Sequence, residues 1–262
     1  VTTAVHIAAA VPAGFFGLAI GSFTGVVVDR VPASRSLVSP PSHCESCGVP
    51  IRPYDNIPLV SYILLRGRCR ACGAAIPPRA VVIEVLTGAL FVLLALRLPS
   101  LWSLPAYCAF AAGLVALSAI DIEEHRLPRP VVYWTALLGG GLLLLASAAT
   151  GRWDAIMEAA IGAGACFAVF FAIFFAVPTG MGFGDVRLAA LCGGCLGWLG
   201  LQIVPLGMIA AFLLAGIPAV VLLASGKVTR KTKLPFGPYL SLGTLVAVMF
   251  GPSITRLATA LH

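Results

Sequence analysis

Long apolar runs separated by short polar breaks fill most of this chain. Runs of spanning length lie at 8–29, 81–98, 103–120, 131–149, 156–177, 187–204, 206–224 and 238–257. A helix needs roughly 17–25 such residues to cross a bilayer. The pattern predicts an all-α fold, a polytopic membrane bundle of about eight transmembrane helices bounded by lipid. Only one polar stretch is long, and it divides the chain into a first transmembrane helix (1–29), a loop (30–80) and the remaining spans (81–262). Pro205, between Val204 and Leu206, predicts a tight external turn between two helices. Runs of small residues, Ala159–Ala165 and Gly139–Gly141, predict close helix packing.

Composition agrees with this pattern. The chain is 60% hydrophobic and 10% charged, against about a quarter charged in soluble domains. Val1–Ala10 carries no basic segment, so the first run is expected to be a span rather than a cleavable signal. The net charge of +7 is unevenly placed. Arg30, Arg35, Arg52, Arg66, Arg68, Arg70, Arg79, Arg126, Arg129, Arg187, Lys227, Arg230, Lys231 and Lys233 fall on one side of the predicted bundle, and only Arg97, Arg152 and Arg256 on the other. Basic loops stay in the cytoplasm, which places 30–80 inside and both termini outside. The same rule accounts for the basic charge without a nucleic acid partner.

The polar loop holds two CxxC pairs, Cys44/Cys47 and Cys69/Cys72, with 21 residues between them. This is one residue beyond the usual zinc-ribbon window of about 15–20. Paired thiols in an Arg-rich cytoplasmic loop point to a reduced metal site rather than disulfides. Four thiolates close a tetrahedral zinc site and leave no open position, so the expected ion orders the loop and does no catalysis. Gly48 and Gly73, each just after a pair, suit the turns of such knuckles. A third CxxC, Cys192–Cys195, lies in an apolar run among glycines and is expected to pack rather than to bind metal.

At the bundle's cytoplasmic edge the chemistry is carboxylate. The four histidines are His6, His43, His125 and His262, none in the middle of a span. There is no HExxH, and no buried histidine to activate a serine. Asp121 and Asp185 fall at ends of apolar runs on the predicted cytoplasmic side, with Glu84 a third acid there. Charges at membrane depth are costly and mark function. Two aspartates brought together share a proton, one acting as base on water and the other as acid toward a carbonyl. Gly182 and Gly184 offer bare backbone to an extended substrate, with Phe183 packed into the bundle. The plain alternatives are an N-cap role for Asp185 and a solvated interfacial position for Asp121. Glu123, Glu124 and His125 read as a solvated turn. A transporter using the two aspartates for protons or a cation is a second possibility, although no repeats or paired broken helices stand out. A third is a non-enzymatic assembly factor built on the zinc knuckle.

The combination resembles the type IV prepilin peptidase family, also called leader peptidase and N-methyltransferase. The residues that carry the likeness are Gly21-Ser22-Phe23, Arg30-Val31-Pro32, the two CxxC pairs with Asn56–Tyr62 and Arg66–Arg70, Glu84–Gly88, Asp121 with Leu127-Pro128, Gly182-Phe183-Gly184-Asp185 and Pro235-Phe236-Gly237-Pro238. The resemblance implies a multi-pass protein of the bacterial inner membrane whose active site faces the cytoplasm. It implies catalytic roles for Asp121 and Asp185, and substrate contacts at Gly182, Gly184 and Arg187. Its substrates would be prepilins and pilin-like secretion subunits, cut after a glycine that ends a short basic leader. The new N-terminus would be methylated from S-adenosylmethionine through the 30–84 region, with Glu84 as the candidate residue. Two departures stand out. Arg187 occupies a position where the family often has lysine, and Arg129 follows Leu-Pro where it usually has Asp or Asn. No GxGxxG turn marks a nucleotide-like site.

Overall fold

In the computed structural model, residues 2–177, 181–225 and 235–260 are described. Gly180, His262 and the basic residues Lys227, Arg230, Lys231 and Lys233 lie outside them. The described residues form helices, turns and two isolated bridges in the polar segment, and no sheet. They divide into two compact units, Val1–Leu96 and Arg97–His262.

The first unit contains α1 (Thr2–Arg30), the short α2 (Val60–Leu64) and most of α3 (Pro78–Arg97). α1 and α3 touch backbone to backbone. A Cβ on Gly17 would lie 2.8 Å from Gly88 Cα, and one on Gly21 would lie 2.6 Å from Glu84 Cα. Apolar lipid cannot drive helices together, so such close approach is what holds them. His6 Nδ1 and the Ala95 carbonyl, 2.7 Å apart, pin the other end of the pair.

The second unit contains α4 (Leu104–Glu124), α5 (Arg129–Thr150), α6 (Trp153–Ala176), α7 (Phe183–Gly197), α8 (Ile203–Ala224) and α9 (Gly237–Ala260). α6 runs along α7 and α8 along α9, while α4 packs on α5 and α9. α4 and α7 are enclosed by their neighbours. α5, α6 and α8 turn Leu137, Leu145, Met157, Phe175 and Val220 outward. A surface this apolar is that of a protein in lipid.

Among the described residues, seven helices are long and apolar enough to cross a membrane. The eighth expected span, 187–204, coincides with α7, which has 15 residues. At 1.5 Å per residue it is about 22 Å long, short of a hydrocarbon core of about 30 Å. The expected turn at Pro205 is corrected by the structure. α7 ends at Gly197, the connection lies at 198–202, and Pro205 is the third residue of α8. A helix's first turn leaves its N–H groups unpaired, so a proline there costs nothing. Trp198, fully buried in this connection, donates its Nε1–H to Ser147 Oγ at 2.8 Å, and the Arg152 guanidinium lies 4.7 Å from its ring centroid.

Candidate active site and metal centre

Asp121 lies inside the last turn of α4 rather than beyond its end, because the helix continues through Glu124 and stops only where His125 takes a left-handed φ of 52°. Its side chain is buried, with the residue 5% exposed, which removes the solvated alternative. The next residues, Ile122 to Arg126, are exposed, and Glu124 pairs with Arg126 at 2.7 Å. The expected solvated turn is therefore present. Asp121 Oδ2 accepts the backbone N–H of Gly237, the first residue of α9, at 3.0 Å.

Asp185 is the third residue of α7 and not its N-cap, a position held by Gly182. Its Oδ2 accepts the Gly182 N–H at 3.1 Å. This is the acidic half of a capping box, and it places a carboxylate at the positive end of a helix. Asp121 and Asp185 are linked through Leu127, which lies against both Gly184, next to Asp185, and Gly237, the partner of Asp121. Leu127 fills the corner beside them. A Cβ on Gly184 would come within 3.0 Å of Leu127 Cβ, and one on Gly237 within 3.2 Å of Leu127 Cδ2. Gly184 thus turns its bare face to Leu127, while around Gly182 the nearest atom is an Asp185 oxygen 3.5 Å from where a Cβ would stand.

Arg187 is two residues beyond Asp185 and one turn beyond Phe183, with its guanidinium 4.5 Å from the centroid of Phe183. Phe183 stands edge-on to Phe171 and Phe174 of α6 at 6.4 and 5.7 Å, so it is packed as expected. The structure therefore gathers Asp121, Asp185, Gly182 and Gly184, while Arg187, on α7, packs on Phe183. Sequence reasoning missed two participants, the Gly237 amide and Leu127. A glycine followed by proline signals a helix start, but nothing local reveals that it meets an aspartate 116 residues earlier.

Each carboxylate has one oxygen bonded to a glycine amide at a helix N-terminus, and Oδ1 of each is left without a hydrogen bond among the described residues. Such a pair can hold one proton between them and pass it to and from a water and a carbonyl.

In the first unit, Cys44, Cys47, Cys69 and Cys72 converge, with all four Sγ atoms within 4.8 Å of one another and Cys44 and Cys72 3.8 Å apart. Tetrahedral zinc at about 2.3 Å from each sulfur sets neighbouring sulfurs about 3.8 Å apart, so the cluster fits the ion. Two matching turns build it. Gly48 N–H donates to the Cys44 carbonyl and Gly73 N–H to that of Cys69, with both glycines at φ near +71°. Backbone N–H groups of Cys47 and Ser46 lower the Cys44 thiol to about 6, which favours the thiolate a metal needs. Cys192 and Cys195 are buried in α7, apart from this cluster.

Glu84 is 8% exposed on α3, and its Oε2 accepts the N–H of Leu59 at 2.8 Å. Leu59 caps α2 with a φ of 58°, a conformation an L-residue adopts only when held. Both line a cavity of about 940 Å³ within this unit, together with Cys44, the Asp29–Arg79 ion pair and Arg70, whose guanidinium grips Asp55 at 2.6 Å. Arg70 holds the Asp55 carboxyl below its usual range.

A model described as the type IV leader peptidase family matches residues 108–223, and one described as the bacterial Peptidase A24 N-terminal domain matches 15–98. Proteins named prepilin leader peptidase/N-methyltransferase are similar over nearly the whole chain. The one from Pseudomonas aeruginosa is 35% identical over 92% of this chain and 90% of its own length. Its counterpart from Aeromonas salmonicida is 34% identical over the same shares. A third, from Burkholderia pseudomallei, is 34% identical over 90% of this chain and 83% of its own. No solved structure matches.

Proposed function

This chain belongs to the type IV leader peptidase family, and on that premise we propose how its residues carry out the family's reaction. The chain is a multi-pass membrane aspartic endopeptidase, a prepilin leader peptidase. Asp121 and Asp185 are its catalytic pair. One carboxylate takes a proton from a water as it attacks the scissile carbonyl, and the other gives a proton to the carbonyl oxygen. When the tetrahedral adduct collapses, one carboxyl gives its proton to the leaving amine and the other carboxylate takes the proton of an adduct hydroxyl as the carbonyl re-forms, so the pair again holds one proton. The pairing of each carboxylate with a glycine N–H carries this assignment, because it holds the carboxylates of a buried Asp121 and a half-buried Asp185 each at the start of a helix, in the same unit.

The substrates are prepilins and pilin-like subunits, which approach along the open side of Gly182, with Arg187 near by. The positive-inside distribution of basic residues supports a site at the cytoplasmic face of the inner membrane. The four cysteines hold a structural zinc that orders the 30–80 loop. Methylation of the new N-terminus belongs to the first unit, where the relatives' shared name and the cavity beside Glu84 support it. S-adenosylmethionine supplies the methyl group there. Glu84 holds the Leu59 turn that forms part of the cavity wall. Nothing in the fold favours a transporter.

The test is direct. Purified protein is incubated with a pilin-like peptide that has a basic leader, a glycine and an apolar helix, and the products are weighed by mass spectrometry. The expected product lacks the leader, and gains one methyl group when S-adenosylmethionine is added. An intact peptide would overturn the assignment.

A further inference from the structure

We propose that Gly237 is a positioning residue for Asp121, and that its backbone N–H fixes which carboxylate oxygen faces the reaction. The inference rests on the peptidase reading above and adds a residue to it. At the start of any helix the first N–H groups have no partner in the helix. In α9 the Phe236 carbonyl already accepts from Tyr239 and Leu240, and Pro238 has no N–H to offer. The Gly237 N–H is directed instead to Asp121 Oδ2 at 3.0 Å, in a buried contact. It removes that oxygen from the reaction and leaves Oδ1 for the proton shared with Asp185.

The residue must also be glycine. A Cβ here would stand 2.7 Å from Asp121 Oδ2 and 3.2 Å from both Asp121 Cγ and Leu127 Cδ2. The nearest obstacle is the end of a side chain, so an added methyl group would displace the carboxylate and leave the helix in place. Asp185 is tied to its own helix by Gly182. Asp121, at the far end of α4, takes its anchor from another helix, and Pro235-Phe236-Gly237-Pro238 is the segment that delivers it.

The experiment uses the purified full-length protein and the pilin-like peptide. Displacement of a reacting group by about 1 Å costs on the order of 100-fold. Gly237→Ala is therefore expected to lower kcat about 100-fold with KM within about threefold and an unchanged Tm. Gly141→Ala in α5, where an added methyl group meets nothing within 4 Å, is expected to leave all three values alone. A second variant carries glycolic acid in place of glycine at 237. This ester removes the N–H and adds no bulk, and it decides the question if the alanine variant does not fold. It is expected to lose tenfold or more in kcat, about the worth of one hydrogen bond to a charged acceptor. An ester variant within about threefold of wild type in kcat overturns the proposal, as does an alanine variant that changes only KM or Tm. Wild-type protein that leaves the peptide uncut overturns the peptidase reading together with it, whereas cleavage by wild type with unaffected variants overturns the positioning role alone.

Discussion

Replacing Glu84 with alanine removes the only described hydrogen-bond acceptor of the Leu59 N–H, which now donates to its Oε2 at 2.8 Å. Leu59 holds a φ of 58° at the entry to α2 and needs outside support to stay there. A hydrogen bond to a charged acceptor contributes about 1.5–3 kcal/mol, so its loss lowers the population of the ordered turn about 10- to 150-fold. Methyl transfer should fall by that factor. Leader cleavage should stay within about threefold, because Asp121 and Asp185 belong to the other compact unit. Glu84→Gln keeps an oxygen acceptor without the charge, and should recover methyl transfer to within about fivefold of wild type. Both activities are read on one peptide, cleavage by loss of the leader and methylation by transfer of labelled methyl groups. An alanine variant with normal methyl transfer, or one whose cleavage falls in step with it, would refute the reasoning.

Two other perturbations give separate tests. Metal analysis of the purified protein should find about one zinc per chain, and Cys47→Ser should lose it. The same metal content in the variant would remove the four-thiolate site. Ser147→Ala leaves the fully buried Trp198 Nε1–H without its acceptor at 2.8 Å. It should lower stability by about 1–3 kcal/mol in detergent unfolding and leave cleavage unchanged. Wild-type stability would mean that this bond contributes nothing.

The sequence pattern showed the helices, the cysteine loop and the two acids because each has a local signature. A run such as 156–177 can only be buried in lipid or in protein, and α6 (Trp153–Ala176) follows it closely. Gly48 and Gly73 betrayed the knuckle turns because only glycine enters that backbone region without strain. Pro205 sits in α8 and not in a turn, since a proline suits a turn and the first turn of a helix equally well and hydropathy does not distinguish them. α7 was drawn too long because the residues after Gly197, Trp198 and Leu199, are as apolar as the helix itself. Asp121's burial and its bond to Gly237 were invisible, since they depend on α9 meeting α4 across more than a hundred residues. Gly184 was read as backbone left bare for substrate. Its contact with Leu127 is likewise a product of tertiary packing.

The central claim is that the carboxylates of Asp121 and Asp185 act as one unit. It is tested most directly by leader cleavage with purified Asp121→Asn and Asp185→Asn, each compared with wild type on the same peptide. Asparagine keeps the shape of the side chain and an oxygen for the glycine N–H, but cannot hold or release the shared proton. Each variant should insert and fold normally and cleave nothing measurable, while retained cleavage by either one would contradict the account.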